Sequence, residues 1–405
     1  MKAIIISIGS ELTEGLYPDT NSQKLSLRLA SVGVDVIRTV IVPDELDIIK
    51  RTVFAAFYDS DLVITTGGLG PTDDDLTRKA FSEAFSLPLE LNRKELARIK
   101  SLITSKGYPY SKDNNRQAYF PKTSEMILNE EGTASGFYLV EINRIIFALP
   151  GVPNQALKMF DHFIVEKIDA KQKVKTKSLT VKTFNITESM LNSKFRENID
   201  AANLIWGTLA KHDGIYLKVK AKGDNAVDII STAKRDIDAL FKGKIWGYDD
   251  DELSLMCASA LREKKLTIST AESCTGGLIS KILTDISGSS DYFKGSIVSY
   301  SNETKISLLK VKKETIDKYG AVSEQTVKKM AKSCAKKLNT DIAISVSGIA
   351  GPSGGSKEKP LGTVYMCIKT PSETKVFHYF LPGNRDEIRK RTAYYALIQL
   401  LKMIK

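Results

Sequence analysis

A serine, a lysine and a scarcity of histidine define the chemistry open to this sequence. Ser273 stands in Ala271-Glu272-Ser273-Cys274-Thr275-Gly276-Gly277, between a β-type apolar run and a helix-type run. Lys305 ends the polar stretch Ser299-Tyr300-Ser301-Asn302-Glu303-Thr304-Lys305. A third stretch, Val346-Ser347-Gly348-Ile349-Ala350-Gly351-Pro352, is a glycine-rich strand exit. A serine hydroxyl needs a base before it attacks a carbonyl, and a lysine is that base only if burial or nearby positive charge lowers its pKa. The chain has 3 histidines, His162, His212 and His378, and none adjoins these stretches. This disfavours a histidine triad and a multi-histidine metal site. A turn that opens a helix would position Ser273 and offer N–H groups to an oxyanion. Amides around Gly348, Ala350 and Gly351 would cradle a phosphate. Each stretch also has a plain reading, as helix cap, surface lysine or tight turn. Cys274 is the rival nucleophile, because thiolates are intrinsically more reactive.

A second constellation lies near the N-terminus, in Thr65-Thr66-Gly67-Gly68-Leu69-Gly70-Pro71-Thr72-Asp73-Asp74-Asp75-Leu76-Thr77. Gly67, Gly68 and Gly70 let the backbone approach a phosphate closely. Asp73, Asp74 and Asp75 would sit uncomfortably beside phosphate oxygens without a divalent cation between them. The pattern predicts a metal-assisted phosphate or pyrophosphate site. Glu11, Asp19 and Asn21 would add oxygen ligands or ribose contacts from the first strand–helix loop. The plain alternative is an acidic helix start favoured by the helix dipole.

These residues need a scaffold, and the patterning supplies one. Lys2–Ile8, Val34–Val42, Asp61–Thr66 and Ile145–Leu149 read as strands, and Thr20–Val32 and Asp44–Tyr58 as helices, with Asp44 as a helix cap. Such alternation predicts an α/β domain with a parallel sheet covered on both faces. Residues 168–248 read as a small α+β module: strands Lys177–Phe184 and Ile215–Lys222, helices Thr187–Ile199 and Asn225–Phe241. Lys171–Lys175 reads as a linker or a solvated strand face. From Asp249 a second α/β series begins, ending in a long helix over Arg385–Met403. The expected fold is α/β: domains at 1–167 and 249–405, with independent cores, joined by the α+β module at 168–248.

Composition narrows the classes. At 405 residues the chain is long enough for several domains. Its 4 cysteines form no C-x-x-C pair, so no zinc site or disulfide framework is predicted. Met1–Ser10 lacks a basic leader region and a small-residue cleavage site, and no apolar run reaches membrane-span length. A cytoplasmic protein without a membrane partner is expected. The net charge of +11 invites a nucleic-acid reading. The excess is mostly scattered lysine after about residue 165, with no DNA-reading motif, so nucleic-acid binding is not expected.

The combination A-E-S-C-T-G-G, Y-S-N-x-x-K, S-G-I-A-G-P and the late G-N-R-x-x-x-R (Gly383–Arg389) resembles the C-terminal domain of CinA-like competence/damage-inducible proteins. The resemblance covers residues 249–405. It implies a nicotinamide mononucleotide deamidase yielding nicotinate mononucleotide and ammonia without a cofactor. Ser273 would be the nucleophile, Lys305 its base, and Tyr300 a support for the lysine or substrate. Amides near Thr275 and Gly276 would form the oxyanion hole. Arg389, or alternatively Arg385, would contact the substrate or its phosphate.

The N-terminal segment is similar to the molybdopterin-binding fold in the form fused to that deamidase. The likeness rests on Ile8-Gly9-Ser10-Glu11, Asp19-Thr20-Asn21, Val42-Pro43-Asp44-Glu45, Gly67–Thr77 and Leu149-Pro150-Gly151-Val152-Pro153. It implies functional roles for Asp44 and Asp75, and substrate contacts by Glu11, Asn21, Gly67, Gly68, Gly70 and Thr72. It also implies ADP-ribose hydrolysis to AMP and ribose 5-phosphate. A divalent metal (magnesium, manganese or cobalt) would assist, held by Asp19, Asp73 and Asp74, with potassium as a further candidate. A homodimer is expected. Two other readings stay open: molybdopterin handling by the first domain, and a non-catalytic protein associated with DNA uptake or repair.

Overall fold

The computed structural model describes residues 1–169 and 176–405. The stretch Lys171–Lys175 lies outside the described residues. The chain divides into two compact units: Met1–Ser178 with Lys222–Val227, and Leu179–Ala221 with Asp228–Lys405.

The first unit is built on β1 (Lys2–Ile8), β2 (Asp35–Val42), β3 (Leu62–Thr66), β6 (Glu125–Ile127), β7 (Gly136–Glu141) and β8 (Arg144–Leu149), in the order β2-β1-β3-β8-β7-β6. A two-stranded ribbon of β4 (Leu89–Leu91) and β5 (Tyr119–Pro121) stands apart from it. Strands β2, β1, β3 and β8 run parallel, while β7 and β6 are antiparallel additions. The sheet is therefore mixed, where alternation alone predicted a parallel one. A short connection after Glu141 lets β7 and β8 pair as neighbours, which parallel strands cannot do without a crossover.

Successive residues of β1 serve opposite faces, as the two-residue period of a strand requires. Ala3 and Ile5 pack with Leu25 and Leu29 of α2 (Thr20–Ser31). Ile4, Ile6 and Ile8 pack with Ile49, Val53 and Phe57 of α3 (Leu46–Asp59) and Phe81 of α4 (Thr77–Ala84). Both faces are covered, so the only polar exit is at the strand ends. The order β2-β1-β3 reverses direction at β1, and in open α/β sheets the crevice at such a reversal binds ligands.

The second unit repeats this device. Its sheet runs β14 (Phe293–Val298), β13 (Ile268–Glu272), β15 (Ile342–Gly348), β16 (Thr363–Lys369), β17 (Thr374–Phe380). The first three are parallel, and β16 and β17 are antiparallel to their neighbours. Helices α10 (Leu253–Glu263), α11 (Leu278–Thr284) and α15 (Arg385–Ile404) cover one face, and α14 (Glu324–Leu338) the other. The central strand β13 is again the reversal point. Glu272 pairs with Val298 on one side and Val346 on the other, so three strand ends and their loops meet there.

The small module has the sheet order β10-β11-β9-β12, from β9 (Thr176–Thr183), β10 (Ile205–Lys211), β11 (Gly214–Lys222) and β12 (Ile245–Tyr248), with helices α8 (Glu188–Asn198) and α9 (Ala226–Leu240). Phe184, Tyr216 and Trp246 join the same apolar core as α10 and α15. Phe184 meets Tyr395 edge-on at 5.6 Å, and Lys402 Nζ lies 4.1 Å above the Phe184 ring. The module expected to join the two α/β domains shares the core of the C-terminal sheet. Among the described residues, no helix is long and apolar enough to cross a membrane.

Candidate functional site

Ser273 follows the last residue of β13, and Lys305 lies on α12 (Asn302–Leu309), which starts after β14. Ser301 caps that helix by accepting the Thr304 N–H. This start directs Lys305 inward, where 2% of it remains exposed. Its Nζ lies 3.0 Å from Ser273 Oγ, 2.9 Å from the Ser299 carbonyl and 3.1 Å from the Tyr300 carbonyl. Burial pushes the Lys305 ammonium below the ordinary lysine range. A neutral amine has two N–H donors and one lone pair. The Ser301 carbonyl lies farther off, at 3.5 Å; in the neutral amine the two nearer carbonyls would take both donors and leave the lone pair for the Ser273 O–H. Burial also pushes the adjacent Cys274 thiol up to about 12. A thiol held neutral in an apolar contact is a poor nucleophile.

The loop after β15 closes the third side. Arg385 Nη1 donates to the Gly351 carbonyl (2.6 Å) and Nη2 to the Tyr300 hydroxyl (2.7 Å). Arg389, one helical turn further on, donates from Nε to the Cys274 carbonyl (3.2 Å) and from Nη2 to the Thr275 carbonyl (2.9 Å). Helix α15 can carry both because Asn384 and Glu387 form a capping box at its start.

In the first unit an open cleft of about 300 Å³ lies over the ends of β1, β3 and β8. Glu11, Asp44, Asp74 and Asp75 line it, with Gly67, Gly68 and Gly70 as its floor. Gly67 has φ +108°, and a Cβ there would stand 2.1 Å from the Ile8 carbonyl oxygen, so this crossing requires glycine. Asp75 staples the loop: its carboxylate accepts N–H bonds from Gly70 (2.6 Å) and Thr72 (2.9 Å) and the Thr72 hydroxyl (2.6 Å). Asp44 and Ser10 exchange bonds across two loops. The Ser10 N–H donates to the Asp44 carboxylate (2.7 Å), and the Asp44 N–H to Ser10 Oγ (3.1 Å).

The full-length comparison decides the family. A CinA-like protein of Kosmotoga olearia is 39% identical over 401 residues, covering 98% of this chain and 97% of the relative. Another, from Dictyoglomus thermophilum, is 39% identical over 401 residues, with 98% of each chain covered. This chain is a member of the CinA-like family. The family model described as "CinA C-terminal domain" matches residues 250–404 of this CinA-like chain, and the one described as "Probable molybdopterin binding domain" matches residues 4–170. Among solved structures, the competence/damage inducible protein CihA from Agrobacterium tumefaciens is 38% identical, covering 38% of this chain and 94% of that one, with a TM-score of 0.37.

Several sequence expectations for this CinA-like chain change once the side chains are placed. The Gly276 N–H donates to the Ser273 carbonyl, which removes it from the oxyanion hole. Gly348 lies inside the β15–β16 ladder, where a Cβ would meet Val364 at 2.8 Å, so it serves packing. Ala350 is buried in the core. Asp44 does not cap α3, because Glu45 holds that position and the Asp44 carboxylate turns to Ser10. Asn21 is buried, bridging the Thr66 hydroxyl and the Gly151 carbonyl beneath the cleft.

The expected metal set is dispersed. Asp19 caps α2 through the Ser22 N–H, and Asp73 turns outward to pair with Arg116. Asp74 stays at the cleft. Among the described residues, no three His, Cys, Asp or Glu side chains form a ready-made cage. Glu11 and Asp74 line the same cleft, and a hard divalent ion such as magnesium takes one or two carboxylates and completes its shell with phosphate and water.

Two contributors were not singled out by the sequence. Arg78 is buried with its guanidinium on the Leu69 and Ser135 carbonyls, and burial lowers it to about 10. Glu272 stood inside the quoted serine motif without a role, and Ser280, its partner one turn into α11, was the signal available.

Proposed function

We propose that the C-terminal unit hydrolyses the carboxamide of nicotinamide mononucleotide, with Ser273 as nucleophile and Lys305 as general base. The observation that carries this reading is the buried Ser273–Lys305 pair, in which burial favours the neutral amine. The nucleotide identity comes from the family likeness. Ser273 Oγ attacks the carboxamide carbon while its proton passes to Lys305 Nζ. Lys305 then gives that proton to the departing nitrogen, which leaves as ammonia. A nicotinoyl ester remains on Ser273. Lys305 next takes a proton from water, hydroxide adds to the ester, and the serine leaves with its proton restored. The products are nicotinate mononucleotide and ammonia. Tyr300 and Arg385 stand at the mouth of the site, and we assign them the nucleotide end of the substrate. Ammonia release from nicotinamide mononucleotide by the purified chain, with nicotinate mononucleotide as co-product, tests the reading. No ammonia above a Ser273→Ala control overturns it.

We further propose that the N-terminal cleft hydrolyses ADP-ribose to AMP and ribose 5-phosphate. The observation favouring it is the glycine floor beside exposed carboxylates. Glu11 and Asp74 would hold a divalent ion, which when bound would neutralise the pyrophosphate charge. Asp75 and Asp44 keep the surrounding loops in place. Comparing ADP-ribose with a molybdopterin substrate separates this reading from molybdopterin handling.

A further inference from the structure

Glu272 is wholly buried directly before the nucleophile. Its carboxylate accepts the N–H groups of Gly277 (2.9 Å), Ile279 (3.1 Å) and Ser280 (2.8 Å) and the hydroxyls of Ser280 (2.6 Å) and Thr270 (3.2 Å). The start of α11 is thus engaged by the protein's own carboxylate and is not available to a substrate anion. Arg389 grips the other side of the same turn, through the Cys274 and Thr275 carbonyls.

A trans peptide points its C=O and N–H in opposite directions, and the one cis bond among the described residues lies elsewhere, at Gly351–Pro352. With the Cys274 carbonyl drawn to Arg389, the Thr275 N–H points away from the guanidinium. The Ser273 N–H is taken by the Val346 carbonyl and the Gly276 N–H by the Ser273 carbonyl. The Cys274 and Thr275 N–H groups meet no backbone acceptor among the described residues. They belong to the residues immediately after the nucleophile, where oxyanion donors are needed.

We infer that Glu272 and Arg389 are positioning residues that clamp the 273–277 turn from two sides and thereby present the Cys274 and Thr275 amides as the oxyanion hole. This rests on Ser273 being the nucleophile. It removes Arg389 from substrate contact and gives it a geometric role. A lysine cannot replace it, because the grip uses two donors of a planar fork.

The test compares the full chain with its Glu272→Gln and Arg389→Lys variants by three readouts. These are melting temperature, KM and kcat for ammonia release, and the rate at which a small fluorophosphonate labels Ser273. Misplacing an oxyanion donor costs roughly 100–1,000-fold when complete, so each variant should lose at least about tenfold in kcat. KM should stay within about twofold, since substrate affinity is not what the clamp supplies. Labelling should slow in parallel while cooperative melting persists. Wild-type labelling by Arg389→Lys together with a raised KM would return that residue to substrate binding and overturn the proposal. So would losses that vanish on cooling and follow the unfolded fraction. If Glu272→Gln fails to fold, Arg389→Lys carries the test. Labelling needs no nucleotide, so a wild-type chain that labels at Ser273 but releases no ammonia refutes the substrate and still judges the clamp.

Discussion

Lys305 Nζ stands 3.0 Å from Ser273 Oγ across a separation of 32 residues, and the Ser299 and Tyr300 carbonyls occupy its other directions. The serine is the one hydrogen-bond partner in this group that can give the lysine a proton. The first two predictions follow from that relationship.

Ser273→Ala and Lys305→Ala should each remove nearly all amidase activity, and the double variant should be little worse than either. Residues that act as a unit are non-additive in this way. Cys274→Ala should keep much of the activity, because its thiol packs in the core. Mass-spectrometric mapping of a trapped acyl-enzyme checks the assignment, and an adduct on Cys274 would refute it.

The pH dependence follows from the direction of the lysine shift. The active form is the free base, so log(kcat/KM) should rise with unit slope on the acid side and level off. Burial lowers the Lys305 pKa, so the plateau should begin below the usual lysine value of about 10.4. A limb centred at or above that value would show that the lysine is not the base.

Asp75 accepts three bonds from its own loop. Asp75→Asn turns an amide N–H toward a backbone donor, leaving that donor unpaired at a cost of about 1–3 kcal/mol. Melting of the N-terminal unit should fall accordingly, and ADP-ribose hydrolysis with it. Ammonia release should be unchanged, and parallel assays on one preparation would show whether the two activities separate.

EDTA should abolish ADP-ribose hydrolysis and leave ammonia release almost untouched, since Glu11 and Asp74, the carboxylates proposed to hold the metal, line the N-terminal cleft. Re-addition of magnesium, manganese or cobalt should restore the lost activity. Pyrophosphatase activity that survives exhaustive chelation would exclude a role for the metal.

Phe184, Tyr216 and Trp246 share the C-terminal core. A fragment of residues 249–405 should melt below one of residues 179–405, because a large apolar side chain that loses its burial forfeits roughly 1.5–3 kcal/mol. Equal melting temperatures would show that the small module adds nothing to that core.

The sequence by itself determined the elements and the reacting types. Apolar runs such as Lys2–Ile8 and Ile342–Val346 became buried strands because a strand covered on both faces can hold little else. Helices such as Thr20–Ser31 and Glu324–Leu338 matched their apolar period. Ser273 and Lys305 were legible because histidine was absent from the motifs, and the glycine floor because Gly67 tolerates no Cβ. Tertiary structure decided the direction of each hydrogen bond. Strand β10 was missed because it is an edge strand with a mostly exposed pattern. Asp73, Asp74 and Asp75 look alike in sequence, yet one pairs outward, one lines the cleft and one staples a loop. Arg385 and Arg389 look like a surface helix start until packing brings α15 against the turn. Glu272 reads as one more charge until the fold buries it among five donors. The physical reason is common to all of these. Residue type and spacing fix what a group can donate or accept, whereas the partner it finds depends on which distant segments the sheet reversal brings to the same strand ends.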